Sequence, residues 1–211
     1  MLDELDRELE QREHRFVRYA DDSNIYVRSE RAGQRVMESV KQFIAKKLKL
    51  KVNESKSAVA KPQERKFLGF SFTGGKELKR RIAPKAINRF KERVREITRR
   101  IRGISMEQRI KELAQYLRGW LGYFGFCQTP SVLEKLNSWI RRRIRNVFWQ
   151  QWKTSRNRKA ELVKRGVRPD LAADTAGSRR GPWRVSQSPA LRIALPNAYL
   201  HSLGIPPLVV R

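Results

Sequence analysis

The sequence predicts an α+β fold in which a small sheet, covered by helices on one face, precedes a helical region. Three features indicate this order. Short runs of β-branched and aromatic residues with a period of two lie within the first 83 residues. From Pro84 onward, apolar residues recur every three or four positions, as in an α-helix. From Gly166 the composition shifts to Gly, Pro, Ser and Ala, where helical patterns weaken.

The first elements are a helix and a β-hairpin. Three leucines at helical spacing predict the end of an amphipathic helix over residues 2–13. Residues 16–20 and 24–28 are rich in β-branched and aromatic side chains, and the polar residues 21–23 between them suit a turn. Two adjacent carboxylates, Asp21 and Asp22, are therefore expected at the tip of the hairpin.

A second helix and further strands complete this region. Apolar residues at helical spacing predict a helix from about residue 30 to 48. Residues 49–52 are strand-like, and apolar residues alternate over 68–72. Gly74-Gly75 then predicts a two-residue turn into a strand at 79–83.

Three helices joined by short loops predict a small bundle in the next region. One apolar stripe begins after Pro84 and continues to Ile104, with Gly103 closing the helix. Ser105 is expected to cap the next helix with Gln108 as its partner, and the third helix opens at Thr129-Pro130-Ser131. The predicted domains are therefore residues 1–83, 84–165 and an irregular segment, 166–211, in which only about 190–203 looks helical.

The charge points to a polyanionic partner. The 48 Lys and Arg exceed the 21 Asp and Glu, giving a formal net charge of +27, although the first 13 residues contain six acids and two arginines. Self-repulsion on this scale is relieved by an RNA or DNA backbone. The alternative is a ribosomal-type or merely soluble basic protein.

Several classes of protein are excluded. One cysteine, Cys127, allows no internal disulfide, and with only His14 and His201 beside it no zinc site of ordinary spacing can be drawn. The acidic start is neither a secretory signal nor a transit peptide, and no 18-residue apolar run could span a membrane. We therefore expect a cytoplasmic protein with no membrane partner.

The Asp21-Asp22 pair is the candidate metal site. Two carboxylates crowded at one turn repel each other, and a divalent cation compensates for that repulsion. Mg²⁺ is the natural choice, because it binds one or two protein carboxylates together with substrate phosphates and water. On these letters alone a solvated acidic turn is the simpler interpretation, since Asp is common in turns and short motifs match by chance.

The flanking blocks favour the metal site, because the sequence resembles the reverse transcriptases and maturases encoded by group II introns. The matching blocks follow the order of that family and cover nearly the whole chain. They are Leu2-Asp3-Glu4-Leu5-Asp6, Phe16-Val17-Arg18-Tyr19-Ala20-Asp21-Asp22, Asn53-Glu54-Ser55-Lys56-Ser57, Phe67-Leu68-Gly69-Phe70-Ser71-Phe72, Tyr116-Leu117-Arg118-Gly119-Trp120 with Tyr123-Phe124, and Pro196-Asn197-Ala198-Tyr199-Leu200 followed by Leu203-Gly204.

The resemblance implies the C-terminal part of a polymerase palm, then a three-helix thumb or maturase domain, and a short tail. It implies RNA-directed DNA synthesis with Mg²⁺ held by Asp21 and Asp22, and Lys56 assisting departure of the pyrophosphate. The expected nucleotide- or primer-binding residues are Tyr19, Ala20, Asn53, Phe67, Leu68 and Gly69. For Lys56 the alternative is a solvated turn lysine, and for residues 67–69 it is a bulged core strand.

The helical region interleaves aromatic and basic residues, as proteins that bind unpaired nucleic acid do. Most of the rings fall on apolar stripes, so for any single ring core packing is the simpler interpretation. The arginines point largely away from those stripes, and the resemblance implies that this region holds intron RNA and the template and primer. The residues expected to bind RNA are Arg118, Arg141, Arg142, Arg145 and Lys153.

Two-metal polymerisation needs a further carboxylate, which in the resembled family lies upstream of residue 1, as do the fingers. The chain is therefore expected to be a C-terminal portion that works with an N-terminal reverse transcriptase chain. One alternative is a non-catalytic, maturase-like RNA-binding protein that assists intron folding. Another is a degenerate product without a stable fold.

Overall fold

The computed structural model describes residues 2–75 and 77–209. It divides into two compact units, the first ending at Leu78 and the second beginning at Lys79. The described residues form ten α-helices and four short strands, which confirms the predicted α+β class. Among the described helices, none combines the length and apolarity needed to cross a bilayer.

The first unit is built around two helices and a hairpin. Its core contains Leu5, Leu9 and Leu48, against which Phe16 and Ile25 of the hairpin pack. A short 3-10 turn at Pro62–Glu64 precedes its last strand. Its elements are α1 (Leu2–Gln11), β1 (Arg15–Tyr19), β2 (Asp22–Tyr26), α2 (Glu30–Lys46) and β3 (Phe70–Phe72).

The predicted hairpin is present, but its turn is shorter and comes earlier than expected. Strands β1 and β2 are antiparallel, and Tyr19 pairs with Asp22. The turn therefore consists of Ala20 and Asp21, and Asp22 begins the second strand. Ala20 has a φ of 50°, the left-handed conformation that a two-residue hairpin turn demands.

Residues 49–52 do not form the predicted strand. They terminate α2 instead. Lys49 has a φ of 55°, and the Leu50 amide donates to the Ile44 carbonyl oxygen at 3.1 Å. This bond spans seven residues and closes the end of the helix, so it uses the backbone donor that a strand would give to a neighbour.

The second unit is almost entirely helical. Phe90 of α3 packs against Trp120 of α4, with ring centroids 4.3 Å apart. Its elements are β4 (Arg80–Ile82), α3 (Pro84–Ile97), α4 (Met106–Phe124), α5 (Pro130–Gln151), α6 (Ser155–Lys164), α7 (Pro169–Ala176), α8 (Pro182–Val185), α9 (Pro189–Ala194) and α10 (Asn197–Ser202).

Helix α3 ends earlier than its apolar stripe predicts. The helix stops at Ile97, the Thr98 hydroxyl donates to the Val94 carbonyl oxygen at 2.6 Å, and Ile101 is 90% exposed in a 3-10 turn. Arg143 of α5 donates to the Thr98 hydroxyl at 2.7 Å. Polar groups at the end of α3 are thus hydrogen-bonded, and the apolar stripe does not continue into the core beyond Ile97.

Ser105 caps α4 as predicted, and its hydroxyl accepts from the Gln108 amide at 3.1 Å. The Gln108 side chain does not close the expected capping box, because it donates to Glu112 at 3.2 Å instead.

The C-terminal segment is more ordered than predicted. Residues 166–209 contain four short helices, α7 to α10, where an irregular segment with one helix was expected; residues 210 and 211 lie outside the described part. Pro169, Pro182 and Pro189 each stand at the first position of a helix. Proline suits that position, because its missing N–H has no intrahelical partner there.

Gly33 lies where a loop approaches α2 closely. A Cβ at Gly33 would stand 2.5 Å from Cγ1 of Val59. Val59 follows the turn of Asn53 and Lys56 by three residues, so this contact seats the loop that carries those two candidate residues against the helix.

The Gly33→Ala substitution should therefore destabilise the protein. Alanine favours a helix, but the overlap with a β-branched side chain outweighs that gain, and we expect a net loss of about 1 to 2 kcal/mol in the free energy of unfolding. Urea denaturation followed by circular dichroism measures it. Gly119→Ala in α4 is the control, because nothing lies within 4 Å of its Cβ position. It should stabilise by up to about 1 kcal/mol, and an equal gain at Gly33 would contradict the predicted clash.

Candidate metal site and nucleic-acid interface

The hairpin places Asp21 and Asp22 next to each other at an exposed tip. Asp21 lies in the two-residue turn and Asp22 opens β2, and both side chains are exposed. Neither carboxylate forms a hydrogen bond or ion pair with any described residue. The turn also stores strain, because a non-glycine residue at the φ of Ala20 costs about 1 to 3 kcal/mol.

Arg18 ties this turn to α1. Its Nε donates to Oδ1 of Asp6 at 2.7 Å, and its Nη2 pairs with the other carboxylate oxygen of Asp6 and, at 3.5 Å, with Asp3. Its Nη1 donates to the Ala20 carbonyl oxygen at 3.1 Å. One guanidinium therefore joins the acidic helix to the strained residue beside Asp21.

The pKa values reflect this pairing. The hydrogen bond from Arg18 lowers the pKa of the Asp6 carboxyl, against an opposing effect of burial. The hydrogen bond to Asp6 raises the pKa of Arg18, and the negative charges of Asp3 and Asp21 act in the same direction. Asp21 thus lies close enough to Arg18 for their charges to interact, although the two side chains form no ion pair.

Sequence reasoning missed Arg18 and Asp6, although a signal was available. Alternate residues of a strand share a face, so Arg18 must lie on the same face as Phe16, which packs towards the leucines of α1. An arginine brought to an acidic helix by that register finds a carboxylate within reach.

The opposite face of the hairpin is open. Tyr19 and Asp22 are register partners, so their side chains share this face, and Tyr19 is 64% exposed. Val17 and Tyr26 on the same face are also exposed. The predicted nucleotide-binding residue Tyr19 therefore stands beside one of the two carboxylates.

Asn53 and Lys56 form a compact turn of their own. The side-chain oxygen of Asn53 accepts from the Ser55 hydroxyl at 2.8 Å and from the Lys56 amide at 3.3 Å. Arg65 donates to the Lys56 carbonyl oxygen at 2.7 Å, which fixes the backbone of the turn. Among the described residues, the exposed Lys56 side chain touches neither aspartate.

Phe67, Leu68 and Gly69 belong to a tight turn. Phe67 and Phe70 exchange two backbone hydrogen bonds of 2.9 Å, and the two residues between them have positive φ, 50° for Leu68 and 79° for Gly69. Positive φ at both central positions is typical of a type I′ turn. The expected strand thus begins only at Phe70, and the bend expected at Gly69 is a full reversal of the chain.

Two of the arginines predicted to bind RNA are anchored on backbone carbonyls. Arg142 donates to the Trp183 carbonyl oxygen at 2.8 and 3.2 Å and stacks on its ring, with the guanidinium 3.9 Å from the centroid. Arg145 donates to the Leu195 carbonyl oxygen at 3.0 Å. Burial lowers the pKa of both guanidinium groups.

The remaining RNA-binding candidates are more open. Arg118 is exposed and donates to the Gly204 carbonyl oxygen at 3.3 Å. Arg141 is half-buried, and Lys153 is exposed with a φ of 44°. Several rings of this region lie in the core, as for Trp120, Phe148, Trp149 and Trp152, whereas Tyr123 and Phe126 are largely exposed.

Comparison with known families gives two matches. Residues 1–72 match the family described as reverse transcriptase (RNA-dependent DNA polymerase), and residues 87–166 match the maturase-specific domain of group II introns. No curated protein matches the chain. The hairpin lies within the first match, and helices α7 to α10 lie beyond both.

The Asp6→Asn substitution should destabilise the first unit at neutral pH, because it removes the charged partner of Arg18. The folded pKa of Asp6 is lowered, so its stabilisation is complete above the unfolded pKa of about 3.9 and is lost as pH falls through the folded value. The melting temperatures of wild type and variant should therefore converge between neutral and acidic pH. Asp3→Asn is the control, because Asp3 lies 3.5 Å from Arg18 and is 84% exposed. A gap that stays constant with pH would contradict the charged pairing.

Proposed function

The chain belongs to the group II intron reverse transcriptases that contain a maturase domain, and we propose that Asp21 and Asp22 form the metal-binding end of its polymerase site. Proteins of this family bind nucleic acid, and reverse transcriptases use a divalent metal ion. The observation that carries the proposal is the hairpin tip: two adjacent, exposed carboxylates in a strained turn, within the reverse transcriptase match.

The donor set fits Mg²⁺. Carboxylate oxygens are the hard ligands this ion prefers, and one or two of them suffice when phosphates and water complete its shell. Bound there, Mg²⁺ supplies stabilisation of the attacking and leaving oxygens in phosphoryl transfer. The protein contributes position, because Arg18 holds the Ala20 carbonyl and thereby orients the turn while its own charge is offset by Asp6 and Asp3.

The neighbouring residues have supporting roles in this proposal. Tyr19 shares a face with Asp22 and would contact the nucleotide or primer together with Ala20. Lys56 is an exposed ammonium on a turn fixed by Asn53 and Arg65, so it can offer a proton and a charge to a departing pyrophosphate. The Leu68-Gly69 turn, reached from Phe67, would hold the primer end.

We propose that an N-terminal reverse transcriptase chain supplies the further carboxylate. Two-metal phosphoryl transfer uses more acidic ligands than one pair. Val17, Tyr19 and Tyr26 give the open face of the hairpin three exposed large side chains, which is the kind of surface a neighbouring element covers.

The helical unit would hold RNA through Arg118, Arg141, Arg142, Arg145 and Lys153. The high net charge supports this role, and it also favours a second candidate function, RNA binding that assists intron folding without polymerisation. The two functions differ only in whether the aspartates are used.

Metal binding can be tested without a partner chain. Mn²⁺, a paramagnetic substitute for Mg²⁺, should broaden the backbone NMR signals of residues 20–23 selectively, and excess Mg²⁺ should restore them. Asp21→Asn and Asp22→Asn should each weaken the broadening. Asp174→Asn, at an exposed position in α7, is the control and should leave it unchanged. Equal broadening at residues 20–23 in all four proteins would contradict the metal site.

Polymerisation is tested by primer extension with an RNA template, a DNA primer and Mg²⁺. We expect incorporation when the chain is combined with the front half of a group II intron reverse transcriptase, and a loss of about a hundredfold or more with Asp22→Asn, because the metal supplies several kcal/mol of transition-state stabilisation. Asp174→Asn should retain activity. If RNA binding persists and no combination extends the primer, the non-catalytic function is favoured.

A further inference from the structure

The second unit contains a cavity of about 410 Å³, within the range of ligand sites, that is lined by four arginines. We name it the arginine cavity. Arg141, Arg142 and Arg145 come from α5, and Arg192 comes from α9. Gln187 and Asn197 also line it, and no carboxylate does among the described residues. Four guanidinium groups with no carboxylate among them favour the binding of an anion.

Two of these arginines are fixed in place before any ligand arrives. Arg142 is held by the carbonyl and the ring of Trp183, and Arg145 by the Leu195 carbonyl and by Oδ1 of Asn197 at 3.1 Å. Carbonyl oxygens orient a guanidinium without neutralising its charge. The cavity is therefore preorganised and still fully cationic.

The other two arginines are available to a ligand. The side chains of Arg141 and Arg192 form no hydrogen bond or ion pair with described residues, and Arg192 is exposed. Both are close enough to Arg145 for their positive charges to lower its pKa, in addition to the larger effect of burial. An anion between them would relieve this repulsion. Asn197 can add a donor, because its oxygen is engaged by Arg145 and its amide nitrogen is not.

We propose that the arginine cavity binds phosphate groups of an RNA backbone, and that the segment beyond both family matches completes it by supplying Arg192 and Asn197. Guanidinium groups match phosphate geometry with paired hydrogen bonds, and such contacts fix the register of a protein on a nucleic acid. The proposal rests on the proposed function only in taking RNA as the polyanion. An acidic protein segment is a poorer fit, because Pro196 is the one apolar residue among the described residues that line the cavity.

The test measures binding of the full chain to a fluorescently labelled RNA stem-loop by anisotropy, over a series of KCl concentrations. Arg192→Gln should weaken binding by about tenfold and reduce the salt dependence by about one released counterion. Arg192→Lys should lose less affinity than Arg192→Gln, because it keeps the charge but not the paired hydrogen bonds. Arg179→Gln is the matched control: it removes the same charge from an exposed loop of the same segment, outside the cavity, and should change affinity less than twofold. Circular dichroism melting checks that the variants fold.

The outcomes separate this inference from the proposed function. If Arg192→Gln behaves like Arg179→Gln while the wild type binds RNA, the arginine cavity is not a phosphate site and RNA binding stands. If the wild type does not bind RNA, the proposed function itself is wrong.

A second arm follows the side-chain Nε–H NMR signals of Arg142 and Arg145 during titration with inorganic phosphate at constant ionic strength. The signals should shift in the wild type and shift less in Arg192→Gln. A site for free phosphate alone is shown if those signals respond but RNA affinity is unchanged by Arg192→Gln, and that result overturns the assignment to RNA.

Discussion

The interaction on which much of the helical unit depends is the hydrogen bond from arginine to a backbone carbonyl. The 48 cationic side chains exceed the 21 carboxylates by more than two to one, so most of them cannot form ion pairs. A buried or half-buried guanidinium nevertheless needs acceptors. The chain supplies them from its own backbone, at the Trp183, Leu195, Phe126 and Arg99 carbonyl oxygens.

Because their partners are carbonyl oxygens, these arginines can contribute both to folding and to function. A carboxylate partner would satisfy an arginine and cancel its charge, whereas a carbonyl satisfies some of its donors and leaves the charge intact. Arginines that join α5 to α8 and to the segment after α9 therefore serve as structural ties, and they also maintain the positive potential that attracts a polyanion. The rings of Trp183, Trp149 and Phe126 extend this principle, since each stacks with a guanidinium at less than about 5 Å from its centroid without neutralising it.

The distance along the chain between interacting residues explains which elements could be predicted from the sequence. Local patterns located the hairpin, the helices α4 and α5 and the Ser105 cap, because spacing and capping are properties of neighbouring residues. The end of α3 was missed, because it depends on Arg143, 45 residues further along the chain, reaching Thr98. The short proline-headed helices α7 and α8 were missed because each is too short to show a periodic stripe, and its stability comes from packing.

The candidate site residues also differ in whether the sequence alone could identify them. Asp21 and Asp22 could be named from the sequence, because their position in a hairpin follows from local alternation. Arg192 could not, since it stands more than forty residues from the arginines of α5 and only the fold brings it to their cavity. A charge of this kind is indistinguishable in sequence from the many solvated arginines of the chain.

The acidic residues of α1 affect the charge at the hairpin tip. An arginine two strand residues before the turn would naturally form an ion pair with Asp21 and compete with any cation there. In the structure Arg18 is engaged by Asp6 and Asp3, so it reaches the turn only as a donor to the Ala20 carbonyl. The carboxylates of α1 thus neutralise the charge of Arg18, while its guanidinium still positions the turn. Asp21 and Asp22 therefore form no ion pair with Arg18 in a protein whose net charge is strongly positive, and this unpaired acidic pair supports the proposal that a divalent cation binds at the hairpin tip.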